Sequence, residues 1–275
     1  MSELHTGCIQ LNTAPDLDAN IDAASALIDQ AANALPIGLR LITTPEMTSG
    51  LIKGRQRQLE RALPMAGHPA IAAFAEKARA HDAWLLIGSL AIKLDDEERL
   101  ANRSIMLNPA GEIAATYDKQ HMFDVAVEDG QTYEESSTYR PGDRTAMADI
   151  GPAKVGLTIC YDVRFPALYR HLAQAGADIM AVPAAFTVPT GQAHWSVLLR
   201  ARAIENGAFV VAPAQTGEHE GGRQTYGHSM IIDPWGQVLA EADDQPGFIT
   251  ATLDLASVTK ARRTIPSLQH DCPNV

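Results

Sequence analysis

Cys160, Glu46 and Lys119 carry side chains suited to attack and hold a carbonyl group. Cys160 ends the short apolar run Val155-Gly-Leu-Thr-Ile159, and Tyr161-Asp-Val-Arg-Phe-Pro166 then turns toward a helix. A nucleophile at a strand-to-helix turn stands at the strand's carboxyl end. The backbone N–H groups that follow, Tyr161 first, can hold an oxyanion. Glu46 follows the apolar run Leu39-Arg-Leu-Ile-Thr-Thr-Pro45. A carboxylate at such a strand mouth is expected to be partly desolvated, which raises its pKa and suits it to general-base work. Lys119 ends Ile113-Ala-Ala-Thr-Tyr-Asp-Lys119, where an ammonium can stabilise an oxyanion or lower a thiol pKa. Taken singly, each also has a plain reading: a buried structural cysteine, a solvated loop glutamate, a surface lysine. His121 reads as a structural hydrogen-bonder.

Other chemistries lack their motifs. There is no G-x-G-x-x-G, P-loop, G-x-S-x-G or H-E-x-x-H, and His194, His219 and His228 are not spaced like ligands. Neither a metal nor an organic cofactor is expected. The three cysteines, Cys8, Cys160 and Cys272, lie far apart with no C-x-x-C, against a disulfide framework or structural zinc. Cys8 reads as core and Cys272 as an exposed, oxidisable tail residue. Trp195 and Trp235 read as packing residues.

The elements that must position these groups alternate. Strands are expected near 6–11, 39–43, 84–88, 113–119, 153–159, 179–182 and 209–212. Helices are expected over 17–35, 69–81, 165–175 and 192–206. Alternation argues for the α/β class, and no Pro-, Gly- or Ser-rich linker divides the chain, so 1–275 reads as one domain. A weak internal repeat adds detail. Ala78-Arg-Ala80 precedes the strand at 84, and Ala201-Arg-Ala203 precedes the strand at 209. Asn108-Pro-Ala-Gly111 and Asp233-Pro-Trp-Gly236 form equivalent turns, in which Pro presets φ and Gly accepts positive φ. Two similar helix-covered sheets packed face to face are expected.

Composition sets the outer bounds. The 275 residues are 46% hydrophobic and 20% charged, enough for a sizeable core. The net charge of -11 argues against nucleic acid or an anionic membrane surface as main partner. No apolar run approaches the roughly 20 residues that span a bilayer. Met1-Ser2-Glu3-Leu4-His5 lacks the pattern of a signal peptide, so a cytoplasmic location is expected.

Together these segments resemble the nitrilase superfamily of carbon–nitrogen hydrolases over nearly the whole chain. The resemblance is carried by Thr44-Pro-Glu46, Tyr117-Asp-Lys119-Gln-His-Met-Phe-Asp124 and Ile159-Cys160-Tyr-Asp-Val-Arg164-Phe-Pro166. Pro183-Ala-Ala-Phe186-Thr-Val-Pro-Thr190-Gly191, His194-Trp195, Arg200-Ala-Arg-Ala-Ile-Glu-Asn206 and the 226–236 segment also fit. It implies a four-layer α-β-β-α sandwich, commonly dimeric through its helices, with the 194–204 helix a candidate interface. It implies a Glu46–Lys119–Cys160 triad working through a thioester, with Tyr161 N–H beside Lys119 at the oxyanion. It also implies a further glutamate, best matched by Glu135, with Glu134 the alternative.

Within the superfamily, the 124–141 and 216–227 segments and Ile265-Pro-Ser-Leu-Gln-His270 are most similar to deaminated-glutathione amidases and the neighbouring ω-amidases. That implies cleavage of an amide on a small carboxylated molecule with release of ammonia. Deaminated glutathione is the first substrate and α-ketoglutaramate or α-ketosuccinamate the second. Arg164 then becomes a candidate carboxylate clamp, its alternative being an ion pair with Asp162 or another acid. Thr190 and Phe186 complete the expected substrate contacts. Residues 47–54 match no particular substrate class.

Overall fold

The computed structural model of the protein describes residues 3–126 and 132–272. Residues 127–131, inside the stretch 124–141 and including Gln131, lie outside the described residues.

Two six-stranded sheets form the centre. In the first, the strands run in the order Gly247–Asp254, Glu3–Gln10, Arg40–Thr43, Trp84–Ile92, Ala101–Leu107, Ile113–Asp118. In the second, the order is Ala146–Asp149, Lys154–Leu157, Ile179–Ala181, Phe209–Ala212, Met230–Ile232, Val238–Glu241. Read across in these orders, both sheets pair antiparallel, parallel, parallel, antiparallel, antiparallel. The halves therefore share one topology, as the repeat implied. The edge strands depart from a simple duplication. The first sheet's outer strand, Gly247–Asp254, arrives from the far end of the chain.

The two turns are likewise equivalent. Gly111 N–H donates to Asn108 O at 2.8 Å, and Gly236 N–H donates to Asp233 O at 3.0 Å. Their φ angles, +74° and +83°, lie where glycine avoids a steric penalty.

Period-two burial explains the layers. In the first sheet, Leu4, Cys8, Leu41, Leu86 and Met106 share a core with Val155, Leu157, Ile179, Ala181 and Val211 on one face of the second. The alternate residues Ile9, Ile42, Leu85, Ile87, Ile105 and Leu107 face a second core with Ala24, Ile28 and Ala31 of helix Leu17–Ala34 and with Phe74 and Ala78 of helix Pro69–His81. Helices Pro166–Gln174 and Val188–Asn206 bring Leu168, Leu172, Trp195 and Leu199 to the second sheet. This is the α-β-β-α sandwich.

Sequence boundaries hold well for helices. Pro69–His81 starts and ends where expected, its N-terminus capped by the His68 side chain and its Asp82 C-cap left-handed. Helix Val188–Asn206 begins four residues before the expected 192, because Pro189 is welcome in a first turn. Strand Trp84–Ile92 runs four residues past 88 through a register shift between Ile87 and Leu90. Trp195 packs as expected, with its indole N–H on His228 O at 2.8 Å. Trp235 does not: it sits at the 233–236 turn, 60% exposed.

Candidate active site

Cys160 stands where Lys154–Leu157 gives way to the short 3-10 turn Cys160–Arg164. Its φ is +49°, a left-handed backbone that a non-glycine residue adopts only under tertiary constraint. The constraints are visible. Cys160 N–H donates to Pro183 O at 2.9 Å, and Ile159 N–H donates to the buried Asp162 carboxylate at 2.9 Å. Asp162 also accepts the Tyr117 hydroxyl at 2.7 Å and both the backbone N–H and ring Nδ1 of His121, at 3.1 and 2.7 Å. Arg164 is not its partner.

Glu46 and Lys119 reach the same point from the other sheet. Lys119 Nζ donates to Glu46 Oε1 at 2.9 Å and to Glu135 Oε1 and Oε2 at 3.0 and 2.8 Å. Lys119 is 2% exposed and Glu46 4%, so these are buried ion pairs. Glu135, not Glu134, is the glutamate on the lysine, and Phe123 N–H donates to its Oε2 at 2.7 Å. Asn102 completes the network. Its Nδ2 donates to Glu46 Oε1 at 2.9 Å and to Glu135 Oε1 at 3.2 Å. No motif marks Asn102 in the sequence. Its only signal is its place in a strand that pairs with the one leading to Lys119.

Electrostatics set the resting charges. Burial pushes the Glu46 carboxyl up, but the Lys119 ammonium and its hydrogen bond overcome this and leave the pKa below the ordinary value. The expectation of a raised Glu46 is thereby corrected, because desolvation acts here beside a cation. Burial and then the Glu46 charge push the Cys160 thiol well up, against the opposing pull of Lys119 and of the Ala185 peptide. Burial works against the Lys119 charge, yet Glu135 and Glu46 outweigh it and raise that pKa well above the ordinary value. The resting state is a thiol beside a carboxylate and an ammonium.

Glu46, Lys119, Cys160 and Glu135 line one cavity of about 880 Å³, with Tyr161, Phe186, Thr190, Tyr133, His219 and Arg223. Residues of the 47–61 segment also line it.

Residues 5–263 match the family described as carbon-nitrogen hydrolase. The chain belongs to the carbon–nitrogen hydrolase family. The hydrolase is 42% identical over 270 residues to a protein of Synechocystis sp. (strain PCC 6803 / GT-S) named deaminated glutathione amidase, covering 95% of this chain and 96% of that one. A human protein of the same name is 38% identical over 270 residues, covering 97% of this chain and 81% of that one. In structure the hydrolase is similar to Saccharomyces cerevisiae Nit3, described as a member of branch 10 of the nitrilase superfamily. The TM-score is 0.87 at 27% identity, covering 98% of this chain and 96% of that one.

The expected substrate contacts of the hydrolase divide. Phe186 and Thr190 line the cavity, with the Thr190 hydroxyl 2.8 Å from that of Thr187. Arg164 does not line it. Its guanidinium lies over the rings of Phe186 and Tyr161, at 5.4 and 5.9 Å, and 3.4 Å from His194 Nδ1. The arginines that do line the cavity are Arg55, Arg61 and Arg223, the last in the loop after strand Thr216–Glu218. Sequence reasoning placed the segment of Arg223 but not the residue.

Proposed function

We propose that this hydrolase is a single-domain, cysteine-dependent amidase acting on a small carboxylated amide, and that its substrate is deaminated glutathione. The observation that carries the reading is the buried Glu46–Lys119 ion pair beside Cys160 at one cavity. The names of its relatives support the substrate. The cavity volume, about 880 Å³, suits a molecule of tripeptide size better than a five-carbon amide.

Glu46 takes the Cys160 thiol proton as the sulfur attacks the amide carbonyl, since the thiol's high pKa requires proton loss during attack. Lys119 Nζ–H and the Tyr161 N–H stabilise the tetrahedral oxyanion. Donors of this kind supply about 3–4 kcal/mol each in other hydrolases. Glu46 returns the proton to the leaving nitrogen, the C–N bond breaks and a thioester remains. Water, deprotonated by Glu46, then adds to the thioester. The C–S bond breaks and the thiol regains its proton. Glu135 holds Lys119 in place and exchanges no proton.

The substrate alters the leaving group. Glutathione is γ-glutamylcysteinylglycine, and its deaminated form keeps the amide to the cysteine nitrogen. The leaving group is therefore the amine of cysteinylglycine, whereas ammonia leaves only from a primary amide such as α-ketoglutaramate. Incubating wild type and Cys160→Ala with both compounds, and reading cysteinylglycine and ammonia separately, tests the proposal. Cysteinylglycine from wild type alone is expected. Ammonia from α-ketoglutaramate at a higher kcat/KM would make this an ω-amidase. Turnover by Cys160→Ala would remove the thioester.

The enzyme is further proposed to be a cytoplasmic homodimer. Among the described residues no helix is long and apolar enough to cross a membrane. Val197 and Ile204 of helix Val188–Asn206 stand exposed. Light scattering at twice the chain mass and cell fractionation check the two statements.

A further inference from the structure

We infer that Asn102 is a positioning residue of the reaction. Its amide holds one oxygen of Glu46 and one of Glu135, which leaves the other Glu46 oxygen to the Cys160 thiol and a Lys119 proton to the oxyanion. This role rests on the amidase reading above and adds to it what holds the base and the lysine.

Asn102 is buried in strand Ala101–Leu107. Its Nδ2 donates to Glu46 Oε1 at 2.9 Å and to Glu135 Oε1 at 3.2 Å. Its backbone carbonyl accepts the Lys119 N–H at 2.9 Å. Glu46, Glu135 and Lys119 come from separate segments, and Asn102 meets all of them. Only one orientation of the amide works. Its Oδ1 is buried without a hydrogen-bond partner, and exchanging the two ends would set that oxygen against two carboxylates. A buried acceptor without a partner costs stability, and an apolar side chain of the same shape would avoid that cost. What the amide adds is two protons for two carboxylates.

Lys119 Nζ meets the same two oxygens, Glu46 Oε1 at 2.9 Å and Glu135 Oε1 at 3.0 Å, and Glu135 Oε2 at 2.8 Å. The protons of the ammonium are thus all directed at carboxylates in the resting site. Asn102 duplicates two of these contacts. When a Lys119 proton turns to the oxyanion, the oxygen it leaves still has a donor, so no buried carboxylate oxygen is stripped bare during the reaction. With Glu46 Oε1 taken by two donors, the other oxygen is the one open to the thiol proton. The charge balance favours a neutral donor. Around Glu46 stand Lys119, Glu135, Cys160, Arg223 and Tyr139. A third carboxylate in place of the amide would force a proton onto the cluster, whereas the amide supports the ionised base without adding charge.

Asn102→Leu keeps the shape and removes both protons, and Asn102→Ala removes them with less demand on packing. Two pH profiles test the role: kcat/KM for amide hydrolysis, and the rate of Cys160 alkylation by iodoacetamide, followed by mass spectrometry of the Cys160 peptide. In the alkylation the C–S bond forms, iodide leaves and the thiol proton passes to Glu46. It therefore reads base and nucleophile without an amide substrate. Ionised Glu46 loses a donor in the variants, so it protonates more readily. Both profiles should fall on the acid side at a pH about one unit higher than in wild type, a tenfold loss at a given acid pH. kcat should drop about 30-fold or more with KM within about threefold. A purely structural Asn102 would lower stability and leave the acid limbs in place. Unmoved limbs, or an unchanged kcat, in folded Asn102→Leu overturn the inference. If that variant does not fold, Asn102→Ala decides by the same measurements. Separately, a shifted alkylation limb with wild type that hydrolyses no carboxylated amide would retain Asn102 as the support of the base and refute the amidase reading.

Discussion

Asp162 accepts the ring Nδ1–H of His121 at 2.7 Å, tying the residue two past Lys119 to the residue two past Cys160. The same carboxylate holds Tyr117, two before Lys119, and the peptide N–H of Ile159, just before Cys160. One buried anion thus ties the backbone around Lys119 to the backbone around Cys160 across the two sheets.

Asp162→Asn should disturb both. It replaces an acceptor of four hydrogen bonds with a group that must also donate, at a site with no exposure. We expect a loss of about 2–4 kcal/mol and a melting temperature lower by roughly 5–10 °C by calorimetry, with kcat reduced at least about tenfold. An unchanged kcat would remove Asp162 from the positioning of the pair.

Glu135→Gln tests the lysine's second support. The amide keeps an oxygen for Lys119 but loses the charge that helps hold the ammonium. A fall in kcat of about 10²-fold with little change in KM is expected from steady-state kinetics. A rise in KM alone would assign Glu135 to substrate binding.

Acid should weaken the fold through His219. Burial lowers its pKa from the ordinary 6.5 to about 4, and its ring is held between Thr13 O at 3.1 Å and the Thr225 hydroxyl at 2.6 Å. The unfolded chain therefore binds the proton first. Stability from this group is complete above about 6.5 and is lost as pH falls through 6.5 toward 4, by about 3 kcal/mol in all. Denaturant titrations at pH 7 and pH 4 should show that difference shrink in His219→Gln. Glu46, with its lowered pKa, adds a loss of the same sign at still lower pH.

Gly88→Ala should fail for steric reasons. A Cβ there would lie 1.9 Å from Thr44 O and 2.3 Å from Pro45 O, the backbone that carries Glu46. Little soluble protein is expected, and any that folds should have lost most of its kcat, because Glu46 must move. Normal yield and kcat would show that this backbone can yield without cost.

Much of this protein was written locally. Helix Pro69–His81 follows from a proline start and an apolar period, and the two Asx-Pro-x-Gly turns from the φ needs of their residues. Cys160, Glu46 and Lys119 were legible because each ends an apolar strand, which is where a sheet presents side chains. Tertiary structure decided the rest. It alone chose Glu135 over Glu134, because the choice depends on which carboxylate faces Lys119. It brought in Asn102 and Arg223, whose neighbours are distant in sequence. It reversed the expected direction of the Glu46 pKa, since burial beside a cation acts oppositely to burial alone. It also gave the first sheet an edge strand from the other end of the chain. Residue type and local period determine elements, whereas charge, reach and access depend on which elements meet.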